Sequence, residues 1–578
     1  MSAADAKAEG NVKRLPVLLR TAGVPAAIAL AAILIVGSTI NHYGLTYDEG
    51  WYISRSVRAR DWVGALLTDP GYALSDDGIE RYWAAETKSG GEVLREQQPG
   101  AAKLVCGCLG HPLGRLLGAA FPERAGTALF LAGCLAALYL FVGSVWGRGA
   151  GAFAAGALLL MPRVFAHAHL CALDVPVMSM MLITVALMFA AVRRNSLLLA
   201  ALSGLAWGVA LSCKINALFL PFILATWIVL FHRGFAVRAA ACLILGGGLG
   251  FLVTWPWLWH HTGLRLADYL AFHLQHYPVA VSYFGRVSEH QPWHYPLVMT
   301  AITTPPVTLA LGLLGMGLAG WGLRRRSGVG AGAPTCEGEG EWRRSQAALL
   351  LLGALFTIGL NCLPSAPKYT GVRLFLPFFA FFAALAAVGF GGIASYVARR
   401  LPATRSGLLS PVRAKVLLAV LALLPAAHVV LGTHPYQLSY YNALIGGTRG
   451  AVARGMEATY WGDSYMAACN ALASRLRPGE TVWVDLPGCQ WIIEQYLKPT
   501  RPDLRFSSGA WPPPEASWAI VQNKASEMSP ASRALMASGP PVFAADLDGL
   551  PLSLVYGRES IAHAREQMPL VEGRSNRP

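Results

Sequence analysis

Asp48 and Glu49 lie side by side in the stretch GLTYDEGWY, immediately after the first apolar run of the chain. Burying charge at the mouth of a membrane segment is costly. A carboxylate pair placed there is therefore a candidate for chemistry, and the chemistry a carboxylate offers is proton transfer. A plain structural reading stands beside it. The spacing of WYISRSVRARDWVGALL predicts a helix with arginines among its apolar residues, lying on the membrane surface, and Asp48 could serve as its N-cap, a role worth about 1 kcal/mol.

Three further stretches set charge against apolar runs. MPRVFAHAHLCALDVPVM carries Arg163, His167, His169 and Asp174 between two spans, and Asp174 ahead of Pro176 also reads as a helix start. The i,i+2 spacing of the histidines fits neither a helical pair nor a zinc pattern, so they are expected at an interface or lining a cavity. LSCKINALFLP holds Lys214 between two apolar stretches. A lysine so placed needs a counter-charge or water, and a phosphate would suit it, with snorkelling to the headgroups as the structural alternative. PSAPKYTGVRLFLP puts Lys368 and Arg373 at the edge of another span. The rigid fork of arginine and the compact charge of lysine together suit phosphate or diphosphate oxygens.

These residues need a scaffold, and the composition describes it. The 578 residues are 54% hydrophobic and 14% charged, with a mean hydropathy of +0.44, which marks a polytopic α-helical membrane protein. The net charge of +15 is spread in short clusters between apolar runs, so it reads as topological and not as a nucleic-acid footprint. Ten cysteines, mostly inside apolar stretches and without zinc spacing, read as isolated buried thiols. Lys13, Arg14 and Arg20 precede the first apolar core without a cleavage site after it, so that span is expected to be retained.

Windows of about 17 to 25 residues fall near 21–40, 126–145, 149–166, 175–192, 196–213, 215–231, 239–257, 296–322, 346–361, 374–393 and 414–432, giving about eleven helices. With a cytoplasmic tail at 1–20, alternate connections carry Arg148, Arg193, Arg194, Arg233, Arg238, Arg324, Arg325, Arg326, Arg343, Arg344, Arg399, Arg400, Arg405, Arg413 and Lys415. All fall on one side, as the positive-inside rule asks. The other side receives the long first loop 41–125 with its interfacial helices, HAHLCALD, the joint at Lys214, the loop 258–295, NCLPSAPKYTGVR and everything after 433. The loop 324–345 reads as a flexible cytoplasmic connector. After 433 the pattern changes: ETVWVDL, SWAIVQ, PVFAADL and LSLVYG read as strands, with helices at 464–477 and 489–497. A transmembrane catalytic domain at 21–432 followed by a small extracytoplasmic α/β domain at 433–578 is the expected organisation.

The acidic pair after the first span, QQPGAAKL, HAHLCALDVP, GVALSCKINAL and KYTGVRLFLP, followed by HPYQLSYYNALIGGTRGA and TYWGDSY, together resemble glycosyltransferase family 39 over residues 25–465. That family groups dolichyl-phosphate-mannose protein mannosyltransferases with bacterial aminoarabinose-type lipid A transferases, in the integral-membrane GT-C superfamily. The resemblance implies a donor sugar linked to a polyprenyl phosphate, an acceptor hydroxyl on protein, lipid or glycan outside a bacterial cytoplasmic membrane, and inversion at the anomeric carbon. Asp48 would be the base, because the attacking hydroxyl must lose its proton. Glu49 and Asp174 would orient the acceptor, tune Asp48 by like charge or hold a divalent ion. Lys214 and Arg373, with Lys103 and Lys368, would hold the phosphate that gains charge as it leaves. The chain departs from the family at Gln98-Pro99-Gly100, where relatives carry His- or Lys-Pro-Pro, and Lys103 is the substitute this sequence offers. Beyond the lipid-linked donor, a divalent cation at these carboxylates is the one cofactor left open, and the membrane bilayer is the other partner. The rival reading is a multi-span transporter or flippase, whose repeated halves have no counterpart in this sequence.

Overall fold

The computed structural model describes residues 23–84, 98–275, 278–324, 337–400 and 410–566. The expected tail 1–20, Arg325, Arg326, Arg405 and much of the connector 324–345 lie outside the described residues. Among the described residues, eight helices are long and apolar enough to cross a membrane: Gly23–His42, Arg124–Trp146, Asp174–Arg194, Arg233–Val253, Pro306–Arg324, Gly338–Cys362, Pro377–Arg400 and Pro411–Gly432. Leu197–Leu211 and Ile215–Phe231 are shorter apolar helices.

Two of the expected spans are broken, and proline accounts for both breaks. The window 149–166 divides into Arg148–Leu159 and Pro162–His167, and 296–322 into Tyr295–Thr303 and Pro306–Arg324. Proline lacks the amide hydrogen and drives the residue before it out of the helical region. Met161, ahead of Pro162, is accordingly extended with ψ at 114°, and Thr304, ahead of Pro305, with ψ at 137°.

Small residues let the helices close on one another. A Cβ on Gly204 would lie 1.9 Å from the Cys242 carbonyl oxygen, and one on Gly315 would lie 1.8 Å from that of Leu385. Leu197–Leu211 therefore packs directly on the helix ending at Val253, and Pro306–Arg324 on Pro377–Arg400, as membrane helices do when van der Waals contact drives association.

The first loop forms the expected helix, Glu49–Thr68, followed by Pro70–Leu74 and Asp76–Trp83. Trp62 and Trp83 on these helices meet Trp255 and Tyr269 of the loop after Val253 in a buried aromatic cluster. That cluster anchors the helix that begins at the acidic pair.

The C-terminal segment carries a five-stranded sheet. A small hairpin, β1 (Val281–Tyr283) with β2 (Arg286–Ser288), precedes it in the chain; then follow β3 (Thr481–Val484), β4 (Arg505–Ser508), β5 (Ala516–Gln522), β6 (Phe543–Leu547) and β7 (Leu550–Gly557). Their order is β4-β3-β5-β7-β6, with β3 parallel to β4 and β5, and β7 antiparallel to β5 and β6. Alternate residues point to opposite faces of a strand. Val482, Val484, Ile520 and Val555 thus join the helix Gln490–Leu497 in one core, while Trp483, Ala519, Val521 and Leu554 join Pro530–Ala537 in another. The four strands read from sequence are present. β4 and the β1–β2 hairpin lacked the apolar runs that would have marked them.

Candidate active site

Asp48 occupies the N-cap position of Glu49–Thr68 but makes no capping bond. Its Oδ2 instead accepts from Arg373 Nη1 at 2.7 Å and from Trp461 Nε1 at 3.3 Å. Arg373 opens the short turn Arg373–Phe375 that leads into Pro377–Arg400. Its guanidinium lies on the Trp461 ring, 4.4 Å from the centroid, and its Nε is 3.8 Å from Asp174 Oδ2. Asp174 is the first residue of Asp174–Arg194, and its Oδ1 receives Lys214 Nζ at 2.6 Å. Lys214 stands in an extended joint between Leu197–Leu211 and Ile215–Phe219.

Four segments distant in sequence thus build one chain of alternating charge, Asp48, Arg373, Asp174 and Lys214. Formal charges cancel within it, which offsets much of the desolvation that each ion suffers so close to the membrane. The arrangement also leaves an anion something to compete for, because both cations are held by carboxylates.

A cavity of about 810 Å³ opens beside this chain. Asp48, Tyr52, Lys103, Lys214 and Arg373 line its polar end, and Phe219, Phe356, Leu360 and Phe272 are among the apolar residues on its other walls. Lys103 is carried on Ala101–Leu104 and donates to the Gln98 carbonyl oxygen at 2.6 Å. The Ala101 amide in turn donates to Ser212 Oγ at 3.0 Å, which ties the Gln98-Pro99-Gly100 turn to the joint at Lys214.

Glu49 departs from its expected role. It is wholly buried and faces away from Asp48, since neighbours at the start of a helix point about 100° apart. Its Oε1 accepts from Arg124 Nε at 2.7 Å and from the Cys171 amide at 2.8 Å; its Oε2 accepts from Arg124 Nη2 at 2.8 Å and from the Thr46 amide at 3.2 Å. Arg124 also donates to the carbonyls of Ile40, Tyr43 and Gly44. The pair fastens the end of the first span, the first loop and the Cys171 loop to one another. Neither oxygen is open to an acceptor or a cation.

Lys368 likewise folds back on its own loop, donating to the carbonyls of Leu363 at 2.6 Å and Ala366 at 2.9 Å, and it is not among the residues lining the cavity. His167, His169 and Arg163 are buried behind the site instead of lining the large cavity. His169 stacks on Tyr43 and bonds Thr39 Oγ1 at 2.8 Å. His167 lies near Tyr460 and Trp461. Arg163 donates to the Tyr440 carbonyl at 3.2 Å and lies over the rings of Tyr441 and Tyr460.

The carboxylates of Glu49 and Asp174 are engaged by arginine and lysine, and among the described residues no group of three His, Cys, Asp or Glu side chains is arranged to hold a metal.

Two participants were not singled out from sequence. Arg124 was signalled only by a charge at the head of an apolar run, and Trp461 only as part of TYWGDSY. Two carboxyls of the C-terminal segment are also buried beyond what sequence suggests. Burial pushes Asp463 up to about 7. It pushes Asp485, at the end of β3, up to about 7 as well, against the hydrogen bonds from the Gln522 amide and the Tyr465 hydroxyl.

Comparison with known proteins gives three results. No curated protein matches the chain. Among solved structures, the chain is similar to ArnT from Cupriavidus metallidurans in the apo state, with a TM-score of 0.49 and 14% identity over 94% of this chain and 99% of that one. The same enzyme bound to undecaprenyl phosphate gives 0.48 and 14% over 93% and 98%. The archaeal oligosaccharyltransferase AglB from Archaeoglobus fulgidus, in complex with an inhibitory peptide and a dolichol-phosphate, gives 0.46 and 10% over 86% and 69%. In sequence, residues 118–260, which include Arg163, His167, His169, Asp174 and Lys214, match the model described as dolichyl-phosphate-mannose-protein mannosyltransferase, bearing out the resemblance read from the motifs.

Proposed function

We propose that this chain is a membrane glycosyltransferase that moves a sugar from a polyprenyl-phosphate donor to an acceptor hydroxyl on the outer side of a bacterial cytoplasmic membrane, with inversion. Residues 21–432 form the catalytic unit on this reading, and 433–578 an extracytoplasmic domain. One observation carries it: Asp48, Arg373, Asp174 and Lys214 meet at the polar end of a large cavity whose remaining walls are rich in apolar side chains. A lipid phosphate has the same division, a charged head on a hydrocarbon chain.

The chemistry follows from the arrangement. The acceptor oxygen attacks the anomeric carbon, its proton passes to Asp48, and the bond from that carbon to the phosphate oxygen breaks with its electron pair on the phosphate. The leaving phosphate gains one negative charge. Arg373 and Lys214, with Lys103 beside them, are already placed to receive it, which is how preorganised cations lower such a barrier. Asp174 holds Lys214 and Arg373 in position. Cationic loops on the opposite side of the membrane support the sidedness.

The test is transfer from radiolabelled polyprenyl-phosphate sugars by purified protein in detergent or liposomes. Transfer from at least one such donor is expected. Transfer from none, together with vectorial uptake of a lipid-linked or small polar substrate, would replace the enzyme by a transporter.

A further inference from the structure

The first loop is gripped by residues far downstream. The Tyr47 amide donates to the Trp461 carbonyl at 2.8 Å, and the Leu45 amide to the Tyr496 hydroxyl at 2.7 Å. Contact is close along the whole strap. A Cβ on Gly44 would lie 2.0 Å from the Asp463 carbonyl oxygen, one on Gly50 would lie 2.7 Å from the Trp491 ring, and one on Gly488 would lie 2.4 Å from the Tyr47 ring. Residues 44–50 are therefore moulded against the segment 461–463 and against the turn and helix that follow β3.

Trp461 is where this grip meets the reacting groups. It is only 2% exposed and is not among the residues lining the cavity, so it touches the site from behind. Its two functional surfaces are used separately. The indole N–H donates to Asp48 Oδ2 at 3.3 Å, and the ring face carries the Arg373 guanidinium at 4.4 Å, a cation–π contact that strengthens where water is excluded. The other ionisable groups packed around the pair are Asp174, Lys214, Tyr52, Tyr369 and His167. Of these, His167 also packs on the Trp461 ring, with the ring centroids 5.4 Å apart.

We propose that Trp461 is a positioning residue for the transfer reaction, through which the C-terminal α/β segment fixes the Asp48 carboxylate and the Arg373 guanidinium relative to each other. This rests on the reading of Asp48 as base. It gives the C-terminal segment a role in catalysis without contact with substrate: the strap sets the geometry of the base, and the ring sets the geometry of the phosphate ligand.

The two surfaces can be removed one at a time in the full-length protein. Trp461→Phe keeps an aromatic face and loses the N–H. It is expected to lower kcat about tenfold, the scale of one hydrogen bond to a charged group, with donor KM unchanged. The acid limb of the pH–rate profile should move to higher pH, because a carboxylate that loses a donor holds its proton more tightly. Trp461→Leu loses the ring face as well and is expected to raise donor KM in addition. Should Trp461→Phe fail to fold, Tyr496→Phe removes the hydroxyl that holds the Leu45 amide and is expected to lower kcat without changing donor KM. A folded Trp461→Phe, or failing that a folded Tyr496→Phe, with wild-type kcat and an unmoved acid limb overturns the inference. The underlying reading has its own control: full transfer by Asp48→Asn, or no transfer by wild type, takes both down, whereas an inactive Asp48→Asn beside an unaffected Trp461→Phe removes only the role of the tryptophan.

Discussion

Two adjacent carboxylates should give opposite phenotypes when each is replaced by its amide. All four partners of Glu49 are donors, namely Arg124 Nε and Nη2 and the amides of Thr46 and Cys171. In Glu49→Gln the new NH2 group must therefore face a donor, and Arg124, whose side chain is 2% exposed, loses its counter-charge. Breaking a buried ion pair in this way costs about 3–5 kcal/mol. Asp48→Asn is different. Both partners of Asp48 converge on one oxygen, so an asparagine can keep its carbonyl there and turn its NH2 to the cavity. With the side chain 24% exposed and Arg373 keeping Asp174 at 3.8 Å, the loss of stability should be smaller, about 1–3 kcal/mol, while the loss of a general base should lower transfer by about 10²–10⁴. Thermal unfolding in detergent and initial rates on the same preparations measure both quantities. A stable Glu49→Gln with a purely kinetic defect, or a fully active Asp48→Asn, would refute the division of roles.

The lysines divide similarly. Lys214→Met leaves Asp174 with Arg373 alone, at 3.8 Å, and transfer should fall by about 10²–10³ with the loss of a preorganised cation. Lys368→Met should leave donor KM unchanged and cost about 1 kcal/mol of stability, since its ammonium is bonded to its own loop; donor titrations on both variants decide this. Asp485 predicts a pH effect on stability. Its folded value of about 7 lies above the ordinary 3.8, so its contribution is fully present below about pH 4 and is lost as pH rises through 7, up to a limit of about 4 kcal/mol. Asp485→Asn should flatten the pH dependence of unfolding of the C-terminal segment between pH 4 and 7 and raise its stability at pH 8. Hydrogen exchange at pH 5 and pH 8 reads this directly, and an unchanged pH dependence would show that the carboxyl is not held protonated.

The residues that sequence could pick out are those whose placement is costly. Asp174, Lys214 and Arg373 stand beside apolar runs where an unpaired charge is expensive, and the structure pairs each of them. Lys368 met the same criterion and failed, because nearby carbonyls can neutralise the cost as well as a ligand can, and hydropathy does not see them. Glu49 and Asp48 could not be separated from sequence, since what distinguishes them is direction around a helix start and the distant Arg124. The spans were legible from apolar length, but two of them break at Pro162 and Pro305. In the C-terminal sheet β3, β5 and β7 were legible from their buried apolar residues and the edge strand β6 from the run PVFAADL; β4, the other edge strand, has a single apolar residue in RFSS and was not. Trp461 was beyond reach for a simpler reason: nothing in TYWGDSY says which side chain lies against residue 48.

On the proposed reaction, the formal neutrality of the Asp48–Arg373–Asp174–Lys214 chain has a consequence for turnover. A donor phosphodiester brings one negative charge, and after transfer the phosphate carries two while Asp48 has become neutral. The total at the site is therefore the same before and after the sugar moves; only its location changes, from the carboxylate to the phosphate. Arg373, released by the protonated Asp48, is then free to hold the product. When Asp48 gives its proton to water, it reclaims Arg373 at 2.7 Å and the lipid phosphate loses that partner. On that proposal the contact that fixes the base doubles as the means of expelling the spent carrier, and ties each release of lipid to the reset of the base for the next acceptor.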